Sequence, residues 1–340
     1  MPAPSRPDAP VPGGPDLGRP DAGGPDLGRP DAGGPDLGRP DAGGPDLADH
    51  PALDPEAALV RAEAVVAGTP EEVWWSVSTG AGIGTWFVPA QVQQRVGGAV
   101  VTDHGSFGHS HGVVTVLEPP WRFAYEERAW GTDVPPWRTE LLVEPVDGGA
   151  GGADGASGGG ADGAGGASPA GGVAAGAACR VRLTSGLTEE GPVWRAAVAV
   201  TEEGWVAGLR NLRLVREHFP GQSAGGVFVV RGVRAGRDEA WAALLRALGF
   251  HDAAVGDEIV AVPGAPALAG VVEEVRPTSL LLRTTAPAPG LVELSAHVWT
   301  TTSLLVHAHF FGPAGAAVAE AERPRWDAWL HARFPGAQPA

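Results

Sequence analysis

A chain of 340 residues has room for two domains of ordinary size, yet its 52 glycines and 33 prolines gather in stretches too poor in large apolar residues to offset chain entropy. A formal net charge of −16, with no lysine anywhere, repels phosphate backbones and anionic lipid, which argues against nucleic acid or a membrane surface as partner. The single cysteine, Cys179, rules out an intrachain disulfide and a cysteine-based zinc site and fits a reducing compartment. The opening MPAPSRPDAPVPGG lacks the apolar core of a signal peptide, and no run approaches the length of a membrane span, so a cytoplasmic protein is expected.

Residues 1–55 carry the decapeptide GGPDLGRPDA, beginning at Gly13, Gly23 and Gly33 and decaying after Gly43. Each copy holds one large apolar side chain (Leu17, Leu27, Leu37, Leu47), too little to stack into a solenoid, so a disordered, extended arm is expected. A first strand is predicted over LVRAEAVVAG from Leu59. Thr69-Pro70-Glu71-Glu72 then starts a helix: Thr69 caps, Pro70 fits the first position, and Glu72 completes a capping box. That helix places Val73, Trp74 and Val77 on one face and stops at Gly80; a second short helix closes with Trp86-Phe87. From Gln91 to Arg128, β-branched and aromatic runs broken by Gly97-Gly98, by His104 to His111 and by Pro119-Pro120 predict an antiparallel meander.

The order of these motifs resembles the START-like (SRPBCC) superfamily. The markers are the helix opening Thr-Pro-Glu-Glu-Val-Trp, the hinge Arg95-Val96-Gly97-Gly98, and Gly112-Val113-Val114-Thr115-Val116-Leu117-Glu118-Pro119-Pro120-Trp121-Arg122-Phe123. Within that superfamily the chain is most similar to the branch named for activators of the heat-shock protein 90 ATPase. The resemblance implies an α+β, helix-grip fold: a curved antiparallel sheet around a long carboxy-terminal helix, with an apolar cavity between them. The remainder fits. Trp137 to Val146 and Cys179 to Ser185 alternate as strands, the Gly/Ala-rich residues 147–177 between them read as an inserted linker, and a gripping helix opens at Thr201-Glu202-Glu203, with Trp205, Leu209, Leu212, Val215 and Phe219 at helical spacing.

A second unit repeats the order. A strand is predicted over Gly226 to Arg231, a helix over Arg237 to Leu248, further strands over Gly256 to Val262, Gly270 to Val275, Ser279 to Thr284, Leu291 to Val298 and Thr302 to Phe310, and a last helix from Pro313 to Phe334. This predicts a tandem duplicate, with a START-like domain over 56–221 and a diverged copy over 222–340 that lacks the Gly-Gly hairpin.

His104, His109 and His111 are the first metal candidates, since alternate strand residues share a face and two imidazoles could reach one ion; a solvated hairpin tip is the plainer reading, and no metal or cofactor is expected. His307 and His309 form a second such pair, read as core-edge or surface residues. No nucleophile motif surrounds Ser106, Ser110 or Ser185, and the Gly-rich insert lacks the lysine of a phosphate loop. Glu126, Glu127 and Glu140 are general acid or base candidates, since a carboxyl group facing an apolar pocket has a raised pKa, but no catalytic residue is assigned.

The aromatic balance says more: 12 tryptophans against a single tyrosine. The phase of Phe123, Tyr125 and Glu127 against Ala124, Glu126 and Arg128 favours the first set as inward. The cavity lining is therefore assigned to Trp86, Phe87, Phe123, Tyr125, Glu127, Leu141, Val143, Val181, Leu183, Trp205, Leu209 and Leu212, with core packing as the alternative for each. The expected function is non-enzymatic binding of a small hydrophobic ligand. Through the resemblance two alternatives stand beside it: a regulator of a heat-shock ATPase, and a cyclase or hydrolase using a cavity carboxylate. A chaperone or a second copy of the chain completes the expected partners.

Overall fold

The structure, a computed structural model, describes residues 59–105, 108–128, 136–146, 176–187, 194–298 and 301–336. The decapeptide tail, nearly all of the Gly/Ala insert and Ser106 lie outside the described residues.

The first half begins with β1 (Leu59–Ala67), α1 (Pro70–Ser78) and α2 (Gly80–Ile83). The capping box forms: the Thr69 hydroxyl accepts from the Glu72 amide, and the Glu72 carboxylate accepts from the Thr69 amide. Five strands follow in sequence, β2 (Ala90–Val92), β3 (Ala99–Asp103), β4 (His109–Glu118), β5 (Arg122–Arg128) and β6 (Trp137–Val146), then β7 (Ala178–Leu187) and the long α3 (Trp194–His218). The antiparallel sheet runs in the order β1-β7-β6-β5-β4-β3-β2. Two expectations are corrected here. The second short helix is a four-residue turn at Gly80–Ile83, with Trp86 and Phe87 beyond it. The gripping helix starts at Trp194 and not at Thr201, because nothing between Trp194 and Val200 breaks a helix, while Thr201-Glu202-Glu203 are simply polar residues within it.

The second half repeats the plan with one strand fewer: β8 (Ala224–Val233), α4 (Arg237–Leu248), β9 (Glu258–Val260), β10 (Ala269–Arg276), β11 (Ser279–Ala286), β12 (Gly290–Val298), β13 (Thr302–Phe311) and α5 (Gly315–Arg333). Its sheet order is β8-β13-β12-β11-β10-β9, so in both halves the first strand pairs with the last and the others form a meander. Each sheet folds around its own terminal helix. In the first, Trp205, Leu209, Leu212 and Val215 of α3 share a core with Val100, Val114, Phe123, Leu141, Val181 and Leu183. In the second, Trp326 and Leu330 of α5 join Val227, Val229, Leu282, Val292, Leu304 and Val306.

The two sheets differ on their outer faces. Strand β12 is buried at seven consecutive residues, Gly290 to Ala296, and β13 at six, Val306 to Phe311, which is the pattern of a strand covered on both sides. The second cover comes from the first half: Leu281, Leu291 and Phe311 belong to the core of α3, and Phe219 stacks on Phe311 with ring centroids 4.1 Å apart. Arg210 of α3, nearly buried, bridges Glu274 of β10 at 2.6 Å and Glu293 of β12 at 2.9 Å. Thus α3 lies between two sheets, gripped by its own and docked on the back of the next.

Candidate functional site

On the inner face of the first sheet the side chains divide by depth. Phe123, Leu141, Val143, Val181 and Leu183 make an apolar floor beneath α3. Towards the other end of the same strands the inward positions turn polar: Thr102 of β3, Ser110 of β4, Tyr125 and Glu127 of β5, Trp137 and Thr139 of β6 and Ser185 of β7. The register forces them together, since Thr102 faces Ser110, Tyr125 faces Thr139, Glu127 faces Trp137, and Thr139 faces Ser185.

Hydrogen bonds tie members of this group together. The Ser110 hydroxyl donates to Glu127 Oε2 at 2.5 Å, with the Thr102 hydroxyl beside the carboxyl. The Thr139 and Ser185 hydroxyls are 2.8 Å apart, Trp137 Nε1–H donates to Ser185 Oγ, and Thr139 lies beside the phenol of Tyr125. Burial pushes the Glu127 carboxyl above the usual carboxylate range, although the Ser110 and Thr102 hydroxyls favour its charged form. Burial, and the Glu127 charge beside it, raise the Tyr125 phenol well above its ordinary value. Gly112 stands directly across from Glu127: a Cβ there would meet Glu127 Cβ at 2.9 Å and Glu126 O at 2.4 Å, so only glycine leaves Glu127 its place.

Beside the polar end stands an aromatic wall. Phe87 stacks on Trp205 with centroids 4.6 Å apart, Trp86 lies 6.5 Å from Trp205, and Trp86 Nε1–H donates to Ser76 O at 2.9 Å. Gly208 allows α3 to approach this wall, since a Cβ there would already lie 3.1 Å from Trp86 Cζ3. The Phe87 ring meets His104 edge-on, and His104 Nε2 lies 2.9 Å from Thr102 Oγ1, so wall and carboxyl network are continuous. His104 is neutral at pH 7, its pKa lowered to about 4, chiefly by burial. Trp205 Nε1 is buried with no hydrogen-bond partner among the described residues.

Of the residues assigned from sequence, Trp86, Phe123, Tyr125, Leu141, Val143, Val181, Leu183, Trp205, Leu209 and Leu212 are buried in one core, with Phe87 partly buried against it and Glu127 at its polar end. They pack on one another closely; a depression of about 320 Å³ bounded by Arg61, Glu63 and Arg182 lies at β1 and β7, and of the assigned residues Leu183 alone borders it. The other two carboxylates point outward. Glu140 is held by Arg122 at 2.8 Å and by Arg138 at 3.7 Å, and Glu126 alternates with the inward Tyr125 and Glu127. The histidine cluster is divided: His109 and His111 are exposed on β4, whereas His104 turns in towards Thr102. Among the described residues no three His, Cys, Asp or Glu side chains converge as a metal site would require. The expectation for His307 and His309 is corrected: both are buried, between the two halves, because their strand is covered on both faces.

Sequence reading did not assign Thr102, Ser110, Thr139, Ser185 or Trp137. Thr139 lies two residues before Leu141 and Ser185 two beyond Leu183, so strand phase alone carries the signal for that pair.

Two curved antiparallel sheets, each closed on its own terminal helix, make this a tandem helix-grip protein of START-like architecture. Among the described residues no helix is long and apolar enough to cross a membrane. No protein-family model matches the sequence, and no curated protein does. Solved structures that align with it include DynU16, a protein of the dynemicin biosynthetic locus, at 15% identity and a TM-score of 0.34 over 81% of this chain and 98% of that one. The di-domain ARO/CYC BexL from the BE-7585A biosynthetic pathway aligns at 13% identity and a TM-score of 0.35 over 83% of this chain and 99% of that one. The Aha1 dimer from Colwellia psychrerythraea aligns at 15% identity and a TM-score of 0.34 over 48% of this chain and 98% of its own. At these identities and TM-scores neither an activity nor a ligand follows from the likeness.

Proposed function

We propose that the first module binds a small, flat, largely apolar molecule that carries a hydroxyl or carbonyl group, and that the chain acts as a binding protein. The observation that carries this reading is Glu127: an inward carboxyl, its pKa raised by burial, that accepts from Ser110 at the polar end of an otherwise apolar core. A structural core has no need of a carboxyl group there, and burying one costs free energy that a hydrophobic residue would not. The Phe87 and Trp205 rings offer a stacking surface, and the unpartnered Trp205 Nε1–H offers a donor to a ligand oxygen.

The test is a panel of polyketide phenols, aromatic acids and fatty acids, read by melting temperature and by tryptophan emission. Phenolic members are expected to raise the melting temperature and quench emission. Glu127→Gln and Trp205→Ala should each weaken binding on the order of tenfold, about 1.4 kcal/mol. A panel that produces neither stabilisation nor quenching overturns the reading. The same carboxyl supports a second reading, in which Glu127 serves as a general acid towards the bound molecule. Turnover that survives Glu127→Gln unchanged excludes it.

A further inference from the structure

The second module has its inner face filled by Trp326, Leu330, Phe310 and Leu244, and its outer face covered by the first module. What that outer face does can be read from two side chains on β13. His307 Nε2–H donates to the Phe87 carbonyl at 2.8 Å, and His309 Nδ1–H donates to the Gly84 carbonyl at 3.2 Å. Both carbonyls belong to the segment between α2 and β2, which carries Trp86 and Phe87, the aromatic wall beside the polar end of the first module. A carbonyl accepts only, so each bond fixes a neutral tautomer: His307 keeps its proton on Nε2, and His309 on Nδ1. The far nitrogen of His309 is buried and without a hydrogen-bond partner among the described residues.

We propose that the second module is a proton-sensitive anchor for the first, in which His307 and His309 hold the Trp86-Phe87 wall in place at neutral pH and release it on acidification. The consequence for ligand access rests on the binding reading given above; the anchoring itself does not.

The surroundings set the sign. The rings of His307 and His309 are only 4.5 Å apart, so a proton on one opposes a proton on the other. Burial lowers the pKa of His307, a change opposed by Glu293 of β12 and by the Phe87 carbonyl and reinforced by Arg210 of α3. Glu293 itself is engaged by Arg210, which Glu274 of β10 also holds, and burial still outweighs its pull on His307. Burial lowers His309 well below its ordinary value, with His307 adding to the effect. His104, the remaining titratable neighbour of His307, stays neutral until about pH 4. Since both pKa values are lower in the docked state than the usual ~6.5, docking is at full strength above that pH and weakens as pH falls below it. Each histidine contributes up to about tenfold in the docking equilibrium per pH unit.

Hydrogen exchange of the full chain, followed by mass spectrometry and corrected for intrinsic rates, reads the anchor directly through the amides of Ile83 to Phe87. Between about pH 7 and about pH 5.5 their protection is expected to fall roughly tenfold, while the β10–β11 hairpin keeps its own. The double variant His307→Gln, His309→Asn retains a donor near each original nitrogen but cannot titrate, and its protection should be the same at both pH values. Unchanged protection in the natural chain, or an undiminished pH response in the double variant, overturns the proposal. Binding of the neutral probe N-phenyl-1-naphthylamine separates the two readings. Loss of protection with increased probe uptake supports both, whereas loss of protection without it upholds the anchor and counts against the first module as a binding site.

Discussion

Glu127 is the side chain at which the first module departs from a plain apolar core. Its folded-state pKa is raised, so the folded protein prefers the protonated form more strongly than the unfolded chain does. Stability from this group is therefore fully present below the unfolded value near 4.5 and is lost as pH rises through the folded value. Glu127→Gln, neutral at every pH, should raise the melting temperature at about pH 8 by a few degrees, for roughly 1 kcal/mol, and make no difference at about pH 4. Thermal melts of both proteins at the two pH values check this. The inward phase of Phe123, Tyr125 and Glu127 is legible in the sequence because a strand alternates strictly. That the Glu127 carboxyl meets Ser110 is not, since those residues are 17 positions apart and lie on different strands.

Local signals are strongest at the ends of elements. Thr69, Pro70 and Glu72 announce α1 through chemistry confined to four residues, and the structure contains both bonds of that capping box. Thr69→Ala removes the acceptor for the Glu72 amide and should cost about 1 kcal/mol, measurable by urea denaturation with an unchanged slope. The same kind of signal misleads at α3, where Thr201-Glu202-Glu203 resembles a start yet lies seven residues inside the helix. Caps mark where a helix can begin, but they do not oblige it to begin there. α3 makes the point again on its other side, because the Arg210 side chain is explained by Glu274 and Glu293 of the second sheet.

Across the whole molecule, the docking of α3 on the back of the second sheet joins the halves into one cooperative body. Phe311→Ala removes half of the stacked pair at that junction and should cost about 3 kcal/mol or more, as large-to-small core changes do. Calorimetry is expected to show the single unfolding transition of the natural chain separating into two, one for each module. The buried Arg210 with its two glutamates contributes more to a unique docking geometry than to net stability, since desolvation offsets most of the attraction. The amino-acid sequence by itself determined the order of strands and helices, the duplication and the inward face of β5, because periodicity, caps and turn residues act over a few positions. Only the tertiary structure decided that the back of the second sheet is an interface and that His307 reaches a carbonyl 220 residues away, because no local pattern encodes which distant surface will cover a strand.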